Sequence, residues 1–307
     1  MHSLVYLLAY VGIIVCIASV VKKVLNYLSK PFHLRWELYP VPHEPGNKAG
    51  YGGSYMEDAE WWNKKREHSQ FNMIQYMTEE ILFMKACFEH NRSLWYRTYP
   101  FHLGLYFIVV FIALLVLGAI AELFKISLSP IIALTNLLGP AGLLLCMGGA
   151  GALIHIRLTD DSLKKYSTMV HFVNLILFIV VAFFGLIAWM VADPNFALTR
   201  GFIANMICFS FEPIGSTLLA IEIILVSLLI AYIPNTHMAH VFMKYFLYHD
   251  IRWGDNSAFD DPATVDKSLG VVLNYPVSWG ASHINVANKK TWVEAATFNP
   301  AAEPETK

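Results

Sequence analysis

The sequence predicts an all-α fold, a five-helix transmembrane bundle with a long cytoplasmic link between the first two helices and a cytoplasmic C-terminal tail. Three observations carry that prediction. Of 307 residues, 56% are hydrophobic and only 15% are charged, a more apolar balance than a soluble domain of this size carries. Apolar stretches of about 18 residues or more recur, and a helix of that length crosses about 30 Å of hydrocarbon. The basic residues gather in alternate connectors, the pattern of the positive-inside rule.

The first span is Leu4 to Val21. It has no positive charge before it and no small-residue cleavage pattern after it, so it reads as an anchor rather than a cleaved signal. The second runs from about Phe101 to Ala121, the third from Pro130 to Ile154, the fourth from Val170 to Ala192 and the fifth from about Ile214 to Val241. Lys22, Lys23 and Lys30 follow the first span, and Arg35, Lys48, Lys64, Lys65, Arg66, Lys85, Arg92 and Arg97 continue the same connector. Arg157, Lys164 and Lys165 lie between spans three and four, and Lys244 and Arg252 follow span five. The opposite connectors hold only Lys125 and Arg200. The N-terminus is therefore expected outside and the C-terminus in the cytoplasm, with the protein integral to the cytoplasmic (inner) membrane.

The chain divides into the first span at 1–30, the link at 31–100, spans two to five at 101–249 and the tail at 250–307. The link opens on the Pro/Gly-rich "YPVPHEPGNKAGYGG" and closes on a helical stretch. There Ile74, Met77, Ile81, Met84 and Phe88 form one apolar stripe. Such a stripe lies on a membrane, on the protein's own core or on a partner. The tail, with "NYPVSWGASHINVANKKTW", is too short for a core of its own and is expected to dock on a partner subunit. A net charge of −1 points to no nucleic-acid partner. The four cysteines, Cys16, Cys87, Cys146 and Cys208, form neither CxxC nor CxxCH, so no iron–sulfur site, covalent haem or disulfide framework is expected.

Histidine placement points to chemistry. His102 begins span two, His155 closes span three, His171 opens span four, and His237 and His240 end span five. Four helices thus bring imidazoles to one cytoplasmic-side depth, where ionisable groups usually face the bundle interior. An imidazole pair on facing helices is the usual way to hold a b-type haem. Arg97 and Lys244 are placed to meet haem propionates, though both also serve the positive-inside pattern. Pro234 frees a backbone carbonyl and could tilt His237 and His240 inward. Glu222 is the one carboxylate within a span. It could exchange the proton of quinone chemistry, or be hydrogen-bonded to Asn174, Ser216 or a carbonyl. His171 and Asn174, one turn apart, could bind a quinone carbonyl.

With "FHLGLY" opening span two and "IPNTHMAH" closing span five, the chain resembles the cytochrome b family of the respiratory nitrate reductase gamma subunit over roughly residues 1 to 250. The segment "EILFMKACFEHNRSLWYRTYPFH" looks like that of membrane subunits in sulfite-reductase-linked, transmembrane-cytochrome and heterodisulfide reductase-type complexes. The resemblance implies electron transfer between a menaquinone-type quinone and a cytoplasmic iron–sulfur subunit with CCG domains. It implies one haem b held by His102 and His240. The positions of a second family haem fall on Ile112 and Glu222, which do not suit it. Either one haem is kept, or a second is held by His155 and His171. The rival readings are a true nitrate reductase gamma subunit and a haem-free membrane anchor.

Overall fold

The computed structural model describes residues 2–29, 41–126, 129–255, 262–278 and 291–298. Lys30, Arg35 and residues 279–290 of the aromatic tail lie outside them. Among the described residues the regular structure is helical. The elements are α1 (His2–Leu28), α2 (Lys48–Tyr51), α3 (Gln70–Leu82), α4 (Lys85–His90), α5 (Arg92–Leu123), α6 (Ser129–Thr159), α7 (Asp161–Tyr166), α8 (Met169–Val191), α9 (Ala197–Ile207), α10 (Thr217–Tyr232), α11 (His240–Phe246), α12 (Pro262–Leu273) and α13 (Trp292–Thr297). Of the described residues, five helices are long and apolar enough to cross a membrane: α1, α5, α6, α8 and the stretch Thr217–Asn235. Each contains or overlaps one expected span.

Two local differences from the sequence expectation have clear causes. The fifth span was expected to run to Val241, but its α-helical geometry stops at Tyr232 and tightens to a 3-10 turn at Ile233–Asn235. Pro234 cannot donate a backbone hydrogen bond and its ring crowds the preceding turn, which favours a break there, whereas α5 and α6 run on through Pro100 and Pro140. The stripe from Ile74 to Phe88 is not one helix but two. Met84 has φ 52°, a left-handed conformation, and separates α3 from α4. The Glu80 carboxylate accepts from the Ala86 N–H at 2.9 Å across this corner, supplying a bond that the broken helix lacks. On α3, Ile74 and Ile81 are exposed.

The chain divides into two compact units, one of residues 1–21 and 77–239, the other of 22–76 and 240–307. In the first, the spans pack through small residues, because lipid supplies no hydrophobic force between helices and close backbone approach must replace it. A Cβ on Gly104 of α5 would lie 2.5 Å from the Cys146 nitrogen of α6. One on Gly12 of α1 would lie 2.6 Å from the Ser227 carbonyl oxygen of α10. Apolar clusters fill the space between helices. Val5, Tyr6 and Ala9 meet Phe202, Ile214 and Ile223, while Phe101, Cys146 and Ala150 meet Phe178, Val181 and Leu229.

The connector between spans four and five carries α9, which the hydropathy pattern alone does not reveal. Asp193, 4% exposed, accepts from the N–H groups of Leu198 at 3.0 Å and Thr199 at 2.8 Å, satisfying donors of the first turn. Arg200 of α9 pairs with Glu122 at 2.5 Å and donates to the Asn195 carbonyl at 2.8 Å.

The second unit draws its core from both ends of the chain. Trp253 and Val41 are fully buried. Tyr76, Tyr248, His43 and His249 ring Trp253 at centroid distances of 4.7 to 5.8 Å. Arg66 donates to the carbonyls of Gly254 at 3.0 Å and Trp253 at 3.4 Å. The link and the start of the tail therefore build one small core together.

Candidate functional site

The first unit gathers polar side chains at one end of its spans. α5 and α8 begin there, and α6 and α10 end there. Thr168 precedes α8 and fixes its third residue: the Thr168 N–H donates to His171 Nδ1 at 3.0 Å, and the Thr168 hydroxyl lies 2.9 Å from the same nitrogen. Asn174 follows one turn later on the same face. Across from it, α10 delivers Tyr232 at its last residue. The backbone then tightens at Pro234, and a second short turn, His237–Ala239, brings His237 back toward α8. Asn235 holds this break by donating to the Ala231 carbonyl at 2.9 Å and to Ser19 Oγ at 3.1 Å.

These elements place four side chains together. Tyr232 donates its hydroxyl to Asn174 Oδ1 at 2.7 Å. Asn174 Nδ2 donates to His237 Nδ1 at 3.2 Å. The rings of His171 and His237 are 4.9 Å apart, tilted by 49°. Asn174 is 1% exposed, His171 is half-buried and His237 exposed. The cluster is thus rigid at its base and open at its rim.

The hydrogen bonds decide which nitrogen carries the proton. His171 Nδ1 accepts from a backbone N–H, which cannot act as an acceptor. In the neutral ring the proton therefore sits on Nε2. His237 Nδ1 accepts from an amide NH2, with the same consequence. Both rings then present Nε2–H as a donor. An Nε2 that carries a proton has no lone pair for iron, so His171 suits hydrogen bonding to a carbonyl better than axial ligation.

His102 has the opposite arrangement. Its Nδ1 donates to the Thr98 carbonyl at 2.9 Å, making Nε2 the lone-pair nitrogen. A ring N–H bonded to a carbonyl is the usual outer-shell support of a ligating histidine. The ring thus fits the axial role expected of it. Arg97 donates to the Ser93 carbonyl at 2.5 Å and to its hydroxyl at 2.8 Å. His155 is exposed on α6, and its carbonyl accepts from Thr159 at 2.9 Å.

In the other unit, His240 opens α11 and Lys244 stands 5.9 Å from the centre of the Tyr248 ring. Glu222 belongs to the first unit but lies toward the other end of α10, ten residues before Tyr232 and so about 15 Å along the axis. Its Oε2 is buried without a hydrogen-bond partner, and its Oε1 stands where a Cβ on Gly185 would come within 2.9 Å. Of the partners expected for it, Asn174 bonds to Tyr232 and His237, and Ser216 caps Leu219.

The structure therefore joins His171, Asn174 and His237, three residues singled out by sequence, and adds Tyr232, which sequence reasoning missed. Tyr232 stands five residues before His237 in "LLIAYIPNTH", and only the tight turn at Pro234 brings the two to one partner. Comparisons with family models, with curated proteins and with solved structures return no match to this chain.

Proposed function

We propose that the chain is a membrane cytochrome b subunit that passes electrons between a menaquinone-type quinone and a cytoplasmic iron–sulfur subunit with CCG domains. The observation that carries this reading is the convergence of His171, Asn174, Tyr232 and His237. A quinone offers carbonyl oxygens and an apolar ring. Two imidazole Nε2–H donors on a fixed polar base, set among apolar helices, match that chemistry. Haem b, when bound, supplies one-electron chemistry. Toward it, the chain contributes His102 with its Nδ1 proton held by Thr98. His240, which the family resemblance pairs with His102, belongs to the other compact unit. Five helices long and apolar enough to span support a place in the membrane, and the distribution of basic residues supports a cytoplasmic C-terminus.

The test is spectroscopic. Purified protein is expected to show a b-type alpha band in a reduced-minus-oxidised spectrum, and His102→Ala is expected to abolish it. A pyridine haemochrome assay is expected to count one haem per chain. A chain without any such band is a haem-free anchor, and the cytochrome reading is then wrong.

A further inference from the structure

The second unit holds a histidine–aspartate cluster that plays no part in the proposed electron transfer. Its members come from three segments. The first is "VPHEP", which carries His43. The second is "REHSQ", which carries His68. The third is "YHDIRWGD", which carries His249 and Asp255. The Ser69 N–H donates to the His43 carbonyl at 2.6 Å, and Asn72 Nδ2 donates to the Glu44 carbonyl at 3.1 Å. These two bonds bring the first two segments side by side. The third segment is a π-helical turn, Leu247–Arg252, a geometry often found at functional sites. It ends with the Trp253 N–H on the Tyr248 carbonyl at 2.8 Å and the Asp255 N–H on the His249 carbonyl at 3.0 Å. Arg66 holds the Trp253 and Gly254 carbonyls, so the loop that presents Asp255 is fixed on both sides.

Within this frame, His43 Nε2 lies 2.6 Å from Asp255 Oδ1 and 3.2 Å from His68 Nδ1. The three ligand atoms all lie within 4.8 Å of one another. His249 Nδ1 lies 2.5 Å from the other carboxylate oxygen, Oδ2. His43 is 2% exposed and His249 7%. The second ring nitrogens, His43 Nδ1 and His249 Nε2, are buried without a hydrogen-bond partner. Burial alone would raise the Asp255 carboxyl, but the hydrogen bonds from His249 and His43 outweigh it and hold the group well below the ordinary carboxylate range.

With its proton on Nε2, His43 donates to Asp255 Oδ1 and meets the lone pair of His68 Nδ1. His43 Nε2 has either one proton or one lone pair. With that proton displaced, His43 Nε2, His68 Nδ1 and Asp255 Oδ1 are three donor atoms within 4.8 Å of one another, a set that one cation can draw together. Two nitrogens bound to one tetrahedral zinc at about 2.0–2.1 Å stand about 3.3 Å apart, against 3.2 Å here. The carboxylate oxygen, 2.6 Å from His43 Nε2, is closer and must move outward to admit the ion.

We infer that His43 Nε2, His68 Nδ1 and Asp255 Oδ1 bind one first-row divalent transition-metal ion, with His249 as a positioning residue that orients the carboxylate. Two imidazoles and a carboxylate suit Zn2+ or Fe2+ and leave a position for water. The ion ties together parts of the chain 212 residues apart in sequence in a unit with little apolar core. That is the setting in which a metal contributes folding energy.

The full chain, purified in detergent through a tag without histidine and stripped with chelator, is titrated with Zn2+. Zinc retained after desalting is counted by mass spectrometry, and affinity is read by competition with a chromophoric chelator. The wild type is expected to retain one zinc per chain. His68→Ala and Asp255→Asn are expected to weaken binding at least about 100-fold. His249→Gln is expected to weaken it about 10- to 100-fold, the usual cost of losing an outer-shell partner. His90→Ala, on α4 of the other unit, is expected to bind as the wild type does. Equal retention by the wild type, His68→Ala and Asp255→Asn overturns the inference, as does a wild type that retains none. Should Asp255→Asn elute as an aggregate, His68→Ala decides the matter, because His68 is half-buried and its loss leaves the backbone bonds intact.

Discussion

Replacing Asn174 by leucine keeps the heavy-atom count and branching of a buried side chain and removes both of its hydrogen bonds. The Tyr232 hydroxyl loses its acceptor at 2.7 Å, and His237 Nδ1 loses its donor at 3.2 Å. Two hydrogen bonds at about 0.5–1.5 kcal/mol each set the loss at about 1–3 kcal/mol. Double-mutant cycles in membrane proteins average about 0.6 kcal/mol per bond, which places the expected value near about 1.2 kcal/mol. Unfolding by SDS in mixed micelles, followed by far-ultraviolet circular dichroism, measures it. Tyr232→Phe gives the second arm of a cycle, with an expected coupling of about 0.6 kcal/mol. On the proposed function there is also a kinetic readout. Without Asn174, the hydrogen bond that places the His237 proton on Nε2 is lost, and one donor toward the quinone weakens. A loss of about 1 kcal/mol raises the KM for quinol about fivefold with little change in kcat. If Asn174→Leu unfolds at the wild-type SDS fraction and the cycle shows no coupling, the polar base of this site is not hydrogen-bonded as described. Unchanged KM for quinol with a normal cycle would retain the cluster and remove its assigned ligand.

Further outcomes follow from the packing and the charges. Gly104→Val is expected to separate α5 from α6 and sharply lower the yield of folded protein. Gly148→Ala, where an added Cβ meets nothing within 4 Å, is expected to be neutral or to stabilise by up to about 1 kcal/mol; equal effects of the two would refute the close approach. Arg200→Met is expected to cost more than Glu122→Gln, because Arg200 is buried and also serves the Asn195 carbonyl, while the Glu122 side chain is 44% exposed. The reverse order in SDS unfolding would count against that pairing. Glu222→Gln is expected to leave quinol-dependent haem reduction unchanged, because the carboxylate lies about 15 Å along α10 from the proposed quinone site; a slowed rate would move the quinone chemistry toward Glu222.

The parts of the fold that local composition dictates were legible in the sequence. Unbroken apolar runs locate α1, α5, α6 and α8 because a backbone in lipid must satisfy itself within its own helix. Pro234 announced a break, but not that the chain would turn twice in tight geometry and return His237 to α8. The extent of such a break depends on what the freed carbonyls meet, here Asn235. In the cluster, His171 and Asn174 were legible from their i,i+3 spacing. Tyr232 was not, since a tyrosine near a span end reads first as an interfacial anchor. His43 and His68 stand 25 residues apart with no periodic pattern between them, and their partner Asp255 comes from the far end of the chain. No local rule connects such positions. They meet only because a tryptophan core forms around Trp253.

The location of the His171–Asn174–Tyr232–His237 cluster has a bioenergetic consequence. Chain order puts the start of α5, with His102, at the same end of the bundle as the start of α8 and the end of α10. On the proposed function, a quinone there would exchange protons and electrons at one face of the membrane. Moving one charge across the whole bilayer is worth about 2.3 kcal/mol per 100 mV, and a reaction confined to one face neither gains nor spends that amount. Such a subunit would leave the membrane potential unchanged and poise the reaction by redox potentials alone. Proteoliposomes carrying a potential-sensitive dye would then report turnover without a voltage signal, whereas quinone chemistry near Glu222, at the other end of α10, would charge the membrane with every electron passed.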